Sequence, residues 1–307
     1  MILLLHIGPH KTGTTAIQTF MRSNDELLAQ HGIAYPKVPS GEFNHHAVVH
    51  GLRTRGLKDG VKAWMLETLA LADRCGSRTC VLSSEMFVED RIDIADLVRS
   101  LSGVDVRVVA YIRRPEDMWA SAFSQLVVEP TVRRTERIDR SPLPYDCSYS
   151  TVFCKWMDHL GPDRMQLAPF DRRQWPGENL LHDFLSMIGA PPSLFEKCST
   201  AAVAHNRSLP AILTAAIRCA NASGIVSATG HARLVRAMGQ LAPKLPGFMS
   251  QPARLSSTSA RRRCIEMLEP WIGRYRPYFR PGFDEGFLAS AGARGSAECA
   301  DDGAAQP

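Results

Sequence analysis

Along the first 190 residues, short apolar runs alternate with stretches in which apolar side chains return every three or four positions. Residues 2–7 read as a buried strand. Residues 14–31 carry apolar positions at Ile17, Phe20, Met21, Leu27 and Leu28, a helical spacing closed by Gly32. Residues 33–36 form a short strand, and 45–53 and 61–75 have helical spacing. TCVLSSE (79–85) is a strand with a polar end, and a helix follows over 92–101. VDVRVVAYIRR (104–114) is dense in Val and is the clearest strand; Pro115 then opens a helix to about residue 127. A helix (148–160), a strand (164–170) and a helix (178–189) come next. From 208 onward only helical patterns occur, with loops around 223–229 and 243–256. The Ala-, Gly- and acid-rich end, 291–307, has a composition expected to stay disordered.

Strands separated by helices predict an α/β fold with a central parallel sheet and right-handed crossovers. Residues 1–290 are expected to form a single domain whose part beyond about 208 is helical. In such folds ligands sit at the carboxyl ends of the strands. The polar motifs at 8–15, 83–85, 113–121 and 170–171 all fall at or just after predicted strand ends.

Composition narrows the partners. The 307 residues are 45% hydrophobic and 22% charged, an ordinary globular balance. A net charge of +5 suits an anionic ligand and is too weak to argue for nucleic acid. None of the eight cysteines forms a C-x-x-C pair, and scattered thiols in a chain this long fit a reducing, cytoplasmic setting. MILLLHIG lacks the basic start of a signal peptide, and no run approaches the roughly 18 apolar residues of a membrane span. The expectation is a soluble cytoplasmic protein.

GPHKTGTT (8–15) puts Gly8 and Gly13 at the two glycine positions of G-x-x-x-x-G-K-[ST]. Thr14 stands where that motif has lysine, and Thr15 where it has the magnesium-binding hydroxyl; the lysine lies inside the loop, at Lys11. Backbone N–H groups of the loop and of the helix from Thr14 favour an anion. Thr12, Thr14 and Thr15 add hydroxyls, and Lys11 a point charge. The fold class is therefore of the P-loop type, three layers around the sheet. A magnesium nucleotide fits less well, since the strand over 79–85 ends in Glu85 and not in a Walker-B aspartate.

In AYIRRPEDMWASAFSQ, Arg113 ends a strand and Ser121 follows eight residues later on a helix. The fork of an arginine and a short hydroxyl donor can grip one anion. PHKTGTT (9–15) resembles the 5′-phosphosulfate loop of the PAPS-dependent sulfotransferases, P-K-x-G-T-T. RRPEDMWAS (113–121) is similar to their 3′-phosphate motif, an Arg and a Ser at this spacing. Residues 2 to about 190, with LSSE and PFDR (169–172), resemble the bacterial carbohydrate-type branch. The glycine-rich C-terminal nucleotide loop of the small-molecule branch is absent; Arg207 in HNRSLP is a candidate for its work.

The resemblance implies 3′-phosphoadenosine 5′-phosphosulfate (PAPS) as donor, no metal, and a hydroxyl acceptor such as a glycan, a glycolipid or a small metabolite. It implies donor contacts from His10, Lys11, Thr12, Gly13, Thr14, Thr15, Arg113 and Ser121. Lys11 would lie beside the leaving oxygen. A base must also take the acceptor's proton. Glu85 is the first candidate, and His45, His46 or His50 of FNHHAVVHG the rivals. His46 and His50 are four apart, a spacing that also permits metal ligation, but no third ligand is evident. His6 in its apolar strand reads as a core residue. The basic segment 129–146, with Arg133, Arg134, Arg137 and Arg140, is either a solvated charge run or a lid for an acidic acceptor. Asp171 suits the site or a cap. Two other readings stay open: an ATP-dependent P-loop kinase, and a nucleotide-binding protein without activity.

Overall fold

The structure is a computed structural model, and it describes residues 1–88, 92–141, 148–201, 209–255 and 257–288. In chain order the strands are β1 (Ile2–His6), β2 (Ile33–Ala34), β3 (Thr79–Ser83), β4 (Asp105–Ile112) and β5 (Met165–Pro169). The helices begin with α1 (Thr14–Ser23), α2 (Asp25–Gln30), α3 (His46–Arg53), α4 (Lys58–Arg74), α5 (Ile94–Ser100) and α6 (Pro115–Val128). They continue with α7 (Ser150–Met157), α8 (Leu180–Met187), α9 (Leu194–Lys197), α10 (Ala211–Ser223), α11 (Ala228–Leu241) and α12 (Thr258–Tyr275). Among the described residues no helix is long and apolar enough to cross a membrane.

The fold is α/β, as the alternation predicts. One parallel sheet runs in the order β2-β3-β1-β4-β5. The strands are near-continuous apolar runs because helices cover both faces of such a sheet. Leu3, Leu5, Ile7, Val81 and Tyr111 are fully buried. On one face of the sheet the core gathers Leu4, Val81 and Tyr111 with Ile17, Phe20 and Met21 of α1 and Phe184 and Leu185 of α8.

Residues divide into two compact units. The first comprises Met1–Ile112, Tyr149–Asn206 and Ile272–Asp284 and holds the whole sheet. The second comprises Arg113–Ser148, Arg207–Trp271 and Glu285–Pro307. Its core is Trp119, Phe123 and Val127 of α6, Ile217 of α10, and Leu255, Ala260 and Cys264.

Among the predicted elements whose extent differs, two show a clear cause. The helix expected over 14–31 is broken at Asn24, whose side-chain amide donates to the Phe20 carbonyl at 2.8 Å and to the Ser199 carbonyl at 2.9 Å. The strand expected to end at Glu85 stops at Ser83. There the Ser84 N–H bonds the His6 carbonyl (3.2 Å), its hydroxyl accepts from the Met86 N–H (3.2 Å), and a 3₁₀ turn begins at Glu85.

Much of the basic 129–141 stretch is built into the second unit. Arg133 donates to the Val226 carbonyl at 2.5 Å, and the Asn221 amide on α10 reaches the carbonyls of Val127 and Arg134. Residues 142–147 of that segment, Arg207 and the tail 291–307 lie outside the described residues.

Candidate active site

The site in the first unit grows from two adjacent strand ends. In the parallel register of β1 and β3, His6 faces Ser83, so the loop after β1 and the turn after β3 leave the same edge of the sheet. The loop, Gly8–Gly13, is tightly shaped. A Cβ on Gly8 would collide with the Thr14 methyl and lie 3.3 Å from His6 Nε2. Gly13 has φ +76°, where only glycine sits without strain, and a Cβ there would meet Leu180 and lie 3.1 Å from Phe170. Lys11 also adopts a left-handed conformation, φ 69°. Such a conformation in an L-residue persists only where its surroundings enforce it.

The threonines divide their work. Buried Thr12 donates its hydroxyl to the Pro9 carbonyl at 2.6 Å and so braces the loop from inside. Thr14 donates to Glu85 Oε1. Thr15 is exposed at the start of α1. The first turn of α1 has no side-chain cap and no acidic residue. Uncapped N–H groups and the positive end of the helix dipole favour an anion there. Lys11, half-buried, lies two residues before Gly13, the helix N-cap.

Glu85 is the hub of the site. One carboxylate oxygen takes the Thr14 hydroxyl; the other lies 3.2 Å from His10 Nδ1. Burial alone would raise its carboxyl pKa. The hydrogen bonds from His10 and Thr14, with the charges of His10 and His46, outweigh burial and hold it below the usual range. The group is thus an ionised carboxylate that joins loop, helix and turn.

The histidines separate by environment. His46, at the start of α3, places Nδ1 2.7 Å from the Ser84 hydroxyl, and its charge is felt at Glu85. His45 turns inward. It is fully buried; its Nδ1 accepts from the Ser83 N–H at 3.0 Å, and its Nε2 donates to the Pro36 carbonyl at 3.0 Å. Both ring nitrogens are used by the fold. His50 is exposed at the far end of α3. His6 is fully buried with Nδ1 2.8 Å from the Ser83 hydroxyl, as expected of a core residue. Among the described residues no group of three or more His, Cys, Asp or Glu is arranged to hold a metal ion.

Burial holds the imidazoles of His6 and His45 at about 4, against an ordinary 6.5. Glu85 partly opposes the shift at His6, and the bond to the Pro36 carbonyl does so at His45. An unfolded chain binds protons on both side chains between about pH 6.5 and pH 4, where the folded chain does not. Their contribution is therefore complete above pH 6.5 and declines as pH falls toward 4. The expected loss is on the order of a few kcal/mol. Urea midpoints measured from pH 7.5 down to 4.5 check this; a midpoint that stays flat contradicts the neutral, buried assignment.

Arg113 and Ser121 belong to the second unit. Arg113 follows the last residue of β4, and Ser121 lies on α6; both are half-buried. Neighbouring Arg114 is engaged by Asp117 at 2.6 Å. Asp171, at the end of β5, accepts from the Arg173 N–H and pairs with its guanidinium at 2.7 Å, so it serves as a cap. Ser84 lies in the polar 83–85 motif, but its bond to His46 and the contact between His10 and Glu85 are not legible from spacing. The first depends on how α3 packs against the turn after β3, the second on the pairing of β1 with β3.

No family model matches the chain, and no curated protein matches it. Among solved structures it is similar to the sulfotransferase domain from the Synechococcus PCC 7002 olefin synthase. Identity is 13% over 78% of this chain and 94% of that one, with a TM-score of 0.37. A TM-score that low leaves fold and site to be argued from the chain itself.

Proposed function

We propose that the chain is a PAPS-dependent sulfotransferase that moves a sulfuryl group to an acceptor hydroxyl. The observation that carries this reading is the loop. Its lysine lies inside it at Lys11, and the position where a P-loop has lysine is Thr14, whose hydroxyl is turned to Glu85. Gly8 and Gly13, where no Cβ fits, let the loop close tightly, and the start of α1, with no side-chain cap and no acidic residue in its first turn, fits the phosphosulfate end of the donor. When bound, the donor supplies an activated sulfuryl group on a nucleotide that leaves as a stable 3′,5′-bisphosphate.

In this reading the loop N–H groups and the Thr15 hydroxyl orient the phosphosulfate oxygens. The Lys11 ammonium stabilises the charge that grows on the departing phosphate. Glu85 is the carboxylate on which removal of the acceptor's proton depends, with His46 beside it. Arg113 and Ser121 take the 3′-phosphate, an assignment supported by their residue types and spacing. The acceptor is a hydroxyl compound, a glycan or glycolipid being the class the resemblance favours.

Arg113→Ala is expected to weaken binding of 3′-phosphoadenosine 5′-phosphate by about 1.5–3 kcal/mol, the usual range for a hydrogen bond to a charged group. Binding of AMP, which lacks the 3′-phosphate, should barely change. Titration calorimetry with both nucleotides checks this, and equal losses for the two would remove Arg113 from the assignment.

A further inference from the structure

The contact between His10 and Glu85 divides the acid–base work more finely. It rests on the sulfotransferase reading and deepens it. Both carboxylate oxygens of Glu85 are engaged, one by the Thr14 hydroxyl and one by His10 Nδ1 at 3.2 Å. A carboxylate offers only acceptors, so the proton between the two groups resides on His10 Nδ1. When that ring is neutral, Nε2 is its basic atom. His10 is the more accessible partner, its side chain 40% exposed against 25% for Glu85. It also sits next to Lys11, the group assigned to the leaving oxygen.

We infer that His10 takes the acceptor's proton, and that Glu85, itself held by Thr14, is the positioning residue that orients the ring. This is the general pattern of a base fixed by a third group. The acceptor oxygen forms a bond to sulfur as the bond from sulfur to the bridging oxygen of the 5′-phosphate breaks. The departing bisphosphate keeps that electron pair. The acceptor's proton passes to His10 Nε2, giving an imidazolium beside the Glu85 carboxylate, and is then lost to solvent. Glu85 is a poorer terminus for that proton, since its bonds to Thr14 and His10 hold its pKa down against the effect of burial. His46 is the other imidazole near the carboxylate, and its Nδ1 is held by Ser84.

The test follows PAPS cleavage with water, glycerol or 4-nitrophenol as acceptor, in wild type and His10→Ala. At mildly alkaline pH 4-nitrophenol is mainly its phenolate and needs no base, whereas water and glycerol do. His10→Ala is expected to slow transfer to water and glycerol by about 100-fold or more. Transfer to 4-nitrophenol should fall by less than about tenfold, and added imidazole should restore part of the lost rate. A variant with near wild-type rates on glycerol and water overturns the role of His10 and leaves the sulfotransferase reading standing. So does an equal loss on every acceptor with weakened nucleotide binding and no rescue, which would make His10 a donor contact. A wild type that cleaves PAPS onto none of the three overturns the reading itself.

Discussion

Lys11→Ala is expected to lower sulfuryl transfer by about 10²–10³-fold or more, the scale seen when one preorganised charge-stabilising donor is removed from an active site. The fold should survive. Lys11 sits at φ 69°, and alanine, which also carries a Cβ, inherits the same backbone conformation at similar cost. The Thr12 brace to Pro9 and the two glycines that shape the loop are untouched. The loss should therefore fall mainly on turnover, while 3′-phosphoadenosine 5′-phosphate still binds through the loop N–H groups and the 3′-phosphate contacts. Steady-state rates with PAPS, read beside the melting temperature, separate the two effects. Retained activity would take Lys11 out of the mechanism.

Glu85→Gln is the second large effect. The substitution preserves shape and removes charge. An amide has one acceptor oxygen where the carboxylate has two, yet both Thr14 and His10 donate to Glu85. One of them is left facing an N–H₂ group, so the ring of His10 loses either its anchor or its countercharge. Turnover is expected to drop about 10²–10⁴-fold, the range for loss of acid–base catalysis. Near-normal turnover would remove Glu85 from the proton step. Stability should respond in a set direction as well. A carboxyl held below its ordinary value contributes above that value and loses the contribution as pH falls through the folded one, a dependence the glutamine variant lacks.

The sheet was largely legible in the sequence because parallel strands are buried on both faces and read as apolar runs. LLL in β1 and VVAYI in β4 could hardly be anything else. The break at Asn24 was not legible. Its cause is a bond to Ser199, 175 positions away, and no helical period registers that. The loop could be read because glycines, a lysine and threonines crowd into eight residues. How its side chains divide could not. Thr12 braces the loop, while Thr14 reaches a glutamate 71 residues on. His45 and His46 are neighbours in one motif. The turn into α3 sends the first into the core and leaves the second near Glu85, a difference of one backbone step that composition does not record. The hydrogen-bonded group of Thr14, Glu85 and His10 exists because β1 and β3 lie side by side, and that adjacency is a property of topology.

The central claim is the donor class, and ligand stabilisation tests it most directly. Thermal unfolding is followed in parallel with 3′-phosphoadenosine 5′-phosphate, with ADP, and with ATP and magnesium. A ligand present at about 100 times its dissociation constant adds roughly 2.7 kcal/mol, a shift easily resolved. The account predicts strong stabilisation by the 3′-phosphorylated nucleotide without magnesium and little from the other two. Stabilisation by magnesium ATP, with none from 3′-phosphoadenosine 5′-phosphate, would contradict it and make the opening loop that of a kinase.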